Sequence, residues 1–474
     1  GEDEIKKWIS QLGAEYLEER ESAKGQLAKA GAKAETLLVG ALTHADHQVR
    51  AASLELLVGL KNTQAVSAVI TLFREDPDKA VRALAFEYLR HAGKPAEEVL
   101  IEALDSEEPG FRLGAVQKLK EIKSEKCAAR VARLYDKEQD PMIKIAAFDC
   151  LKNIGKPAQP HLLELLGSTD SSVRKNAIDG LRNIYKSSPD EEVVKRVSAA
   201  YSMETDTSVL DSLYDLLKSA KAVDSFVAGL RSGQDAVRIR SIDGLTELKS
   251  DKGVEDAAEL FEKDALDSVR AKAQTYLEGF APKAEPCFIK ALASANPQVR
   301  IRSIQALSKL KSVGPLETIA RIFREDPDKA THKAAFEYLA ALGIKAEKEL
   351  IAALDDGDLA IKKGAIEALG KGQSTAAIPR LVDFLAELNR EIKEAATAAL
   401  VRIGSKALES VNAAVREGKI PKRSAEEILG LFYQEEVERL LAGLISDQGE
   451  YGYFEGMFGE LKAFGIDKAL PVLL

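Results

Sequence analysis

One pattern of apolar, basic and small residues recurs along almost the entire chain. An apolar residue is usually followed by a basic one, by Ala or another small residue at position +4, and by Leu at position +8. In a helix with 3.6 residues per turn, positions 0, +4 and +8 share one narrow arc. The pattern starts at Val49, Val81, Phe111, Ile143, Val173, Val209, Val237, Val269, Val299, Thr331, Ile361 and Ile392, with a weaker copy at Glu19. It predicts one amphipathic helix in each repeated unit.

Each unit has room for a second helix. Successive starts lie 28 to 36 residues apart, mostly 30 to 32. The residues between two patterns, such as 95–104, carry an apolar face of their own. Two helices in about 31 residues predict a helical hairpin, and self-similarity at this period is typical of a stacked repeat array.

The turn between the two helices of a unit repeats as well. In eight units an Asp or Asn stands four residues before the basic position. Side chains of this kind accept hydrogen bonds from the free N–H groups at the start of a helix. The eight residues are Asp46, Asp78, Asp140, Asp170, Asn296, Asp328, Asp358 and Asn389. We predict that each of them caps the second helix of its unit.

This Asp-x-x-x-Arg turn, followed by Ala and Leu, resembles the HEAT repeat, in particular the short bacterial form named after phycobilisome lyases. The resemblance covers nearly the whole chain, with the copies in register. It implies an all-α fold, a right-handed α-solenoid (superhelix) of about fifteen two-helix HEAT-like repeats. It also implies that the second helices line a long concave surface that suits the binding of another macromolecule.

The sequence also contains a longer duplication, which spans several of the short repeats. Residues 41–120 align without a gap with residues 291–370 at an offset of 250, and 34 of these 80 positions are identical. The turn at 73–80 recurs unchanged at 323–330. We therefore predict a first block of eight units over residues 1–260. The second block, residues 261–474, is predicted to hold seven units and a truncated eighth.

The two ends of the chain carry further expectations. The aromatic, glycine-rich stretch 449–464 aligns at an offset of 244 with the unit that starts at Val209. We expect a divergent fifteenth unit there, the first helix of a sixteenth at 469–474, and a native chain that continues past Leu474. The chain opens on Gly1 without an apolar leader. We therefore expect any N-terminal targeting segment to be absent from this chain, which leaves the compartment open.

Composition narrows the class of partner. The chain has 67 basic and 76 acidic residues, a formal net charge of −9, whereas a dedicated nucleic-acid binder usually has a basic excess. No run of about 18 apolar residues is present, so no membrane-spanning helix is predicted. We expect protein partners, no nucleic acid and no membrane insertion, and self-assembly stays open.

No residue pattern indicates catalysis or a cofactor. His44, Asp46 and His47 come closest to a metal-binding cluster, but the second copy has Ser294 and Pro297 in place of the two histidines. That exchange favours turn chemistry over metal binding. Phosphate-binding and nucleophile motifs need a strand before a helix, and no strand is apparent. We predict no catalytic residue, no metal site and no cofactor.

The cysteines have no evident partner in the sequence. They form no CxxC pair and are odd in number, so no disulfide framework is predicted. The other copy has Ala or Leu at their positions. We predict that Cys127, Cys150 and Cys287 are small core residues.

The candidate binding surface is a charged stripe at position +6 of the second helices, roughly opposite the buried arc. Its acids are Glu55, Glu87, Asp149, Asp179, Asp215, Asp243, Glu337 and Glu367. In the first block the bases at position +9 are Arg90, Lys120, Lys152, Arg182 and Lys218. In the second block position +9 is small and uncharged, at Ser308, Ala340 and Gly370.

Ion pairs between residues three positions apart on a helix are individually weak. Their distribution nevertheless distinguishes the first block of the stripe from the second. We expect a zwitterionic first half and an acidic second half, which would bind a cationic partner segment in a salt-sensitive way. An ordinary solvated helix face is the alternative interpretation of the same stripe.

Three functions are open at this point. The first is a non-catalytic scaffold for protein–protein interaction, or an assembly subunit of a larger complex, since duplicated halves offer two similar docking faces. The family resemblance implies a second, a bilin lyase-like protein that attaches a chromophore. A DNA-binding HEAT protein is the third, but it needs a basic groove, whereas the stripe is acidic or balanced.

Overall fold

The computed structural model describes residues 1–186, 189–420, 428, 430 and 431. Every regular element in this part of the chain is a helix. The helices form two compact parts, Gly1–Gly253 and one that begins at Val254, which are called the first unit and the second unit from here on. The α-helices of the first unit are α1 (Glu2–Gln11), α2 (Leu17–Ala30), α3 (Glu35–Gly40), α4 (His47–Gly59), α5 (Val66–Glu75), α6 (Lys79–Ala92), α7 (Glu97–Glu102), α8 (Pro109–Glu121), α9 (Ala128–Lys137), α10 (Pro141–Ile154), α11 (Gln159–Leu165), α12 (Ser171–Tyr185), α13 (Glu191–Met203), α14 (Thr207–Ser219), α15 (Val223–Gly229) and α16 (Asp235–Glu247).

The second unit continues in the same style. Its α-helices are α17 (Val254–Lys263), α18 (Asp267–Gly279), α19 (Ala281–Ala291), α20 (Pro297–Lys309), α21 (Leu316–Glu325), α22 (Lys329–Leu342), α23 (Glu347–Ala353), α24 (Leu359–Lys371), α25 (Ile378–Asp383), α26 (Arg390–Ile403) and α27 (Ser405–Arg416). Short 3₁₀ helices adjoin several of the first helices, at Gly31–Lys33, Ala41–Thr43, Lys94–Ala96, Ala103–Asp105, Lys156–Ala158, Gly343–Ala346 and Phe384–Ala386.

Each odd-numbered helix is the first helix of a hairpin, and the even-numbered helix after it is the second. The described residues thus contain thirteen complete hairpins and α27, which confirms the predicted all-α array of two-helix repeats. The fifteenth repeat predicted at 449–464 and the partial sixteenth repeat predicted at 469–474 lie outside the described residues. The predicted junction between the two sequence copies, after residue 260, falls within α17 and stays a prediction. None of the described helices is long and apolar enough to cross a bilayer.

The eight predicted N-caps are confirmed, because each of these side chains accepts a backbone N–H in the first turn of its helix. Asp140, for example, accepts from the amides of Met142 and Ile143 at 2.8 and 3.2 Å. Asp206 caps α14 in the same way, although the motif missed it because no basic residue follows. The residue before α8, Glu108, makes no capping hydrogen bond.

The core runs along the array through the predicted 0, +4 and +8 positions. Val81, Ala85 and Leu89 of α6 are all fully buried, as the pattern predicts. Each second helix packs on its own first helix and on the second helix of the next hairpin in the same unit. Burial between neighbours therefore stabilises each unit hairpin by hairpin, as expected for a quasi-one-dimensional fold.

The basic residue at position +1 links consecutive turns. The guanidinium of Arg112 donates to the carbonyls of Ser106 and Glu107 in its own turn, at 2.9 and 3.0 Å, and to the carboxylate of Glu138 in the next turn, at 2.7 Å. Arg50 pairs in the same way with Asp76 at 2.7 Å. The corresponding pairs Arg174–Glu204 and Arg300–Asp326 occur further along. These largely buried pairs link adjacent hairpins and so help to position the stripe.

Candidate functional site

The predicted stripe lies on the exposed side of the second helices. Glu55, Glu87 and Asp215 have side chains that are 46%, 56% and 56% exposed, and Glu337 and Glu367 are exposed in the second unit. Asp149, Asp179 and Asp243 are partly buried. The exposure follows from the helix geometry, since the 0, +4 and +8 positions occupy the opposite arc.

In the first unit the acids and bases of the stripe pair within single helices. Glu87 lies 2.8 Å from Arg90, and Asp149 lies 2.9 Å from Lys152. The pairs Asp179–Arg182 and Asp215–Lys218 are looser, at 3.8 and 3.9 Å. These are the contacts that the three-residue spacing predicts.

The structure adds pairs between neighbouring helices that the sequence did not reveal. Lys24 of α2 reaches Glu55 of α4 at 2.8 Å, and Lys120 of α8 reaches Asp149 of α10 at 3.6 Å. Further along, Arg182 lies 3.9 Å from Asp215, and Lys218 lies 3.0 Å from Glu247. Most charges of the first-unit stripe are therefore compensated internally.

The carboxylate of Asp149 lies between two cations, Lys152 and Lys120. The hydrogen bond from Lys152 is the main reason that its pKa lies below the ordinary value, with Lys120 adding to the effect and partial burial opposing it. Asp149 thus stays ionised at neutral pH, and one carboxylate compensates only one of the two lysines beside it.

The stripe has a different character in the second unit. Glu337 and Glu367 make no hydrogen bond or ion pair with any residue that the structure describes. However, Lys333 and Lys363 stand one helical turn before them on the same face, and Lys363 pairs with Glu391 at 3.1 Å. These lysines are at position +2, outside the predicted stripe of positions +6 and +9, so basic side chains lie beside these two carboxylates of the second unit.

The histidine cluster shows turn chemistry. Asp46 accepts the amide of Gln48 at 2.8 Å, and His44 accepts the amide of Asp46 through Nδ1 at 3.0 Å. His47 lies 3.7 Å or more from Asp46 and from Asp78. Among the residues that the structure describes, no group of three or more His, Cys, Asp or Glu side chains could hold a metal ion.

Two cysteines that are distant in the sequence meet in the core. Cys127 and Cys150 are both fully buried, as predicted, whereas Cys287 is only partly so. The thiol of Cys127 donates to the carbonyl of Ser124 at 3.1 Å and lies close to the thiol of Cys150. That contact and burial raise the pKa of the Cys150 thiol, which disfavours the reactive thiolate.

An apolar interruption of the charged face is the feature that sequence reasoning missed most clearly. Met142 and Ile145 of α10 are 66% and 62% exposed, and they lie on the same side of the helix as Asp149 and Lys152. The copies offered a signal, because the equivalent positions of the second copy are the charged residues Glu391 and Glu394.

Comparison with known proteins gives a family. A sequence model of HEAT repeats matches residues 97–182, 254–340, 316–401 and 347–431, which together make up more than half of the chain. No curated protein matches the sequence.

Several solved structures are similar in fold at low identity. Importin β is 12% identical with a TM-score of 0.36, over 90% of this chain and 75% of importin β. Kap121p bound to Nup53p is 12% identical with a TM-score of 0.35, over 99% of this chain but only 58% of Kap121p. The CpcE–CpcF complex of phycocyanin lyase from Nostoc sp. PCC7120 is 18% identical with a TM-score of 0.26, over 47% of this chain and 91% of that one.

These three similarities are too weak to carry an argument about function. The family model, by contrast, matches the sequence itself, and the observed hairpins have the two-helix form that it describes. The chain therefore belongs to the HEAT-repeat family.

Proposed function

We propose that this protein is a non-catalytic scaffold for protein–protein interaction, or an assembly subunit of a larger complex, that binds its partners along the exposed face of the second helices. The observation that carries the proposal is the row of exposed or partly exposed charged side chains at the same position of most second helices, which packed cores and linked turns hold in place within each unit. Such a row offers many weak contacts on a preorganised surface, which suits recognition of an extended partner.

The distribution of charge supports a division of labour between the units. In the first unit most stripe carboxylates form ion pairs with neighbouring lysines and arginines, so a cationic partner segment gains little by replacing those contacts. In the second unit Glu337 and Glu367 have no partner among the described residues. We assign the cationic segment of the partner to these two carboxylates.

Site-specific photocrosslinking tests the proposal on the full-length protein. A photoreactive amino acid at position 367, on the second-helix face, is expected to capture a partner in extracts of the source cells. The same amino acid at Glu317, an exposed residue of the first helix α21, serves as the matched control. Equal capture from both positions, or none from position 367, would contradict the proposal.

Charge reversal then tests the electrostatic assignment. With the captured partner in hand, Glu337→Lys combined with Glu367→Lys is expected to weaken binding about tenfold or more at low salt, and the loss should shrink as salt rises. Glu317→Lys changes a charge away from this face and should leave the affinity unchanged. An affinity that is insensitive to the double reversal would remove the cationic segment from the proposal.

A further inference from the structure

The second-helix face of the first unit contains an apolar patch that its paired charges do not explain. Relative to the buried arc of α10, Met142 is at position −1, Ile145 at +2, Asp149 at +6 and Lys152 at +9. These four positions fall within one strip of the helix, opposite the buried arc. Met142 and Ile145 are 66% and 62% exposed, so two large apolar side chains face outward beside the stripe.

The neighbouring helix α8 extends this patch. Leu113 occupies position +2 of α8, is half-buried, and is the counterpart of Ile145 on a helix that packs closely against α10. The residue at −1 of α8, Gly110, is exposed and has no side chain. The acid that most helices carry at +6 is replaced in α8 by Gln117. We call Leu113, Met142 and Ile145 the apolar patch.

The charged side chains around the apolar patch have a small basic excess. Lys120 and Lys152 share the single carboxylate of Asp149, at 3.6 and 2.9 Å. On the next second helix, Lys175 donates to the hydroxyl of Ser208 at 2.8 Å rather than to a carboxylate. Arg182 faces two acids, Asp179 and Asp215. These four cations stand against three carboxylates, which leaves a local excess of one positive charge within a chain of net charge −9.

Comparison of the two sequence copies shows that packing does not require the apolar patch. The buried residues Ala115 and Leu119 of α8 recur as Ala365 and Leu369 of α24. In contrast, Leu113 corresponds to the charged residue Lys363. On α26, Glu391 and Glu394 stand where α10 has Met142 and Ile145. The fold thus tolerates charge at all three positions, and exposed clusters of large apolar residues usually mark an interaction site.

We propose that the apolar patch and its lysines form a docking surface for an acidic peptide segment of a partner protein that carries one or two large apolar anchor residues. This inference rests on the proposed scaffold function, and it specifies the chemical character of the partner segment that binds the first unit. Apolar anchors would be desolvated against Met142, Ile145 and Leu113, while flanking carboxylates would meet Lys120, Lys152 and Lys175. Helices that pack about 8–10 Å apart let an extended segment of about eight residues cross α8, α10 and α12.

Peptide selection tests the proposal without knowledge of the partner. A phage library of random peptides, somewhat longer than about eight residues, is selected on the immobilised full-length protein. The enriched peptides are then synthesised and titrated by fluorescence anisotropy. We expect enrichment of sequences in which Asp or Glu flank Leu, Ile, Met or Phe, with affinity that falls as salt rises.

Variants connect the peptides to the apolar patch. Met142→Ser combined with Ile145→Ser is expected to weaken binding of the enriched peptide about tenfold or more, and Lys120→Gln combined with Lys152→Gln should weaken it at low salt. Leu388→Ser is the matched control, because Leu388 is a fully exposed apolar residue outside the second helices. Unchanged circular dichroism and thermal midpoints are expected for the Met142/Ile145 double variant and for Leu388→Ser, because these side chains lie largely in solvent.

Several results would overturn the inference. Enrichment of basic peptides, no enrichment at all, or acidic peptides whose affinity survives the Met142/Ile145 double change would each do so. A sedimentation shift that the same double change abolishes would assign the apolar patch to a second copy of this chain instead. Peptides lost only with Glu337→Lys and Glu367→Lys would refute the docking surface while leaving the scaffold function intact. The photocrosslinking result judges the scaffold function separately.

Discussion

Some single residues of this protein form contacts both within their own turn and with the next turn of the array. Arg112 satisfies two carbonyls of its own turn and, through the same guanidinium, the carboxylate of Glu138 in the next one. A planar fork of five N–H donors makes this possible, whereas a lysine ammonium lacks that fixed geometry. Lys144, at the same position of the next hairpin, donates to Asp170 at 2.9 Å and lies over the Tyr135 ring, 5.7 Å from its centroid. An arginine at this position therefore links two turns through more hydrogen bonds than a lysine does.

Removal of an arginine that pairs with a carboxylate of the next turn should destabilise the array more than removal of an arginine that contacts backbone carbonyls only. For Arg112→Met we expect a loss of about 2–4 kcal/mol in the free energy of unfolding, because Glu138 is left nearly buried and uncompensated. For Arg82→Met, which removes hydrogen bonds to the carbonyls of Asp76 and Pro77, about 1 kcal/mol is expected. Urea denaturation of both variants measures the difference, and equal losses would contradict the argument.

Glu138 should also make the first unit sensitive to acid. The hydrogen bond from Arg112 is the main cause that lowers the pKa of Glu138 below its ordinary value, against the opposing effect of burial. A carboxyl whose pKa is lower in the folded state adds stability above its unfolded pKa, about 4.3, and loses it as the pH falls through the folded pKa. Glu138→Gln should therefore be less stable than the wild type at pH 7, with the difference shrinking below about pH 4. A constant difference would contradict this assignment.

Among the elements, the second helices carry both the core and the surface, and their starts are set by short polar caps. Asp140 holds the first turn of α10 through two amides, so the cap also orients the exposed Met142 next to it. Glu108 precedes α8 without a capping hydrogen bond, and Pro109 begins the helix. Proline suits this position because its missing N–H would be unsatisfied there in any case.

Replacement of Asp140 and of Glu108 by Ala compares a residue that makes capping hydrogen bonds with one that makes none. Asp140→Ala should lower the stability of the protein by about 1 kcal/mol, because two amides of α10 lose their acceptor. Glu108→Ala removes no capping hydrogen bond and should change stability by less than about 0.5 kcal/mol. Thermal unfolding followed by circular dichroism compares the two, and a larger effect of Glu108→Ala would refute the assignment of caps.

At the scale of the whole molecule, stability is distributed over neighbouring hairpins rather than concentrated in one core. Close packing between consecutive second helices depends on small residues at defined points. A Cβ atom on Gly114 of α8 would lie 2.7 Å from the Phe86 ring of α6, and one on Gly364 of α24 would lie 2.8 Å from the Phe336 ring of α22. The two sequence copies thus keep the same small residue at the same contact.

Disturbance at one such contact should stay local. Gly114→Ala is expected to cost about 1–3 kcal/mol by overpacking against Phe86 and to speed amide hydrogen exchange in α6 and α8. Exchange in α22 and α24 should be unchanged, because neighbour-only coupling does not carry the effect that far. Gly364→Ala should give the mirror-image result. Uniformly faster exchange in both regions would contradict one-dimensional coupling.

The sequence by itself determined the hairpins, the eight caps, the buried arcs and the exposed position of the stripe. It could do so because helical periodicity and capping depend on residues within about four positions of each other. Only the tertiary structure decided the arginine links, the cross-helix pairs such as Lys120–Asp149, and the meeting of Cys127 with Cys150. Those contacts join residues 23 to 33 positions apart, so they depend on how closely one hairpin stacks on the next, a distance that no local pattern encodes.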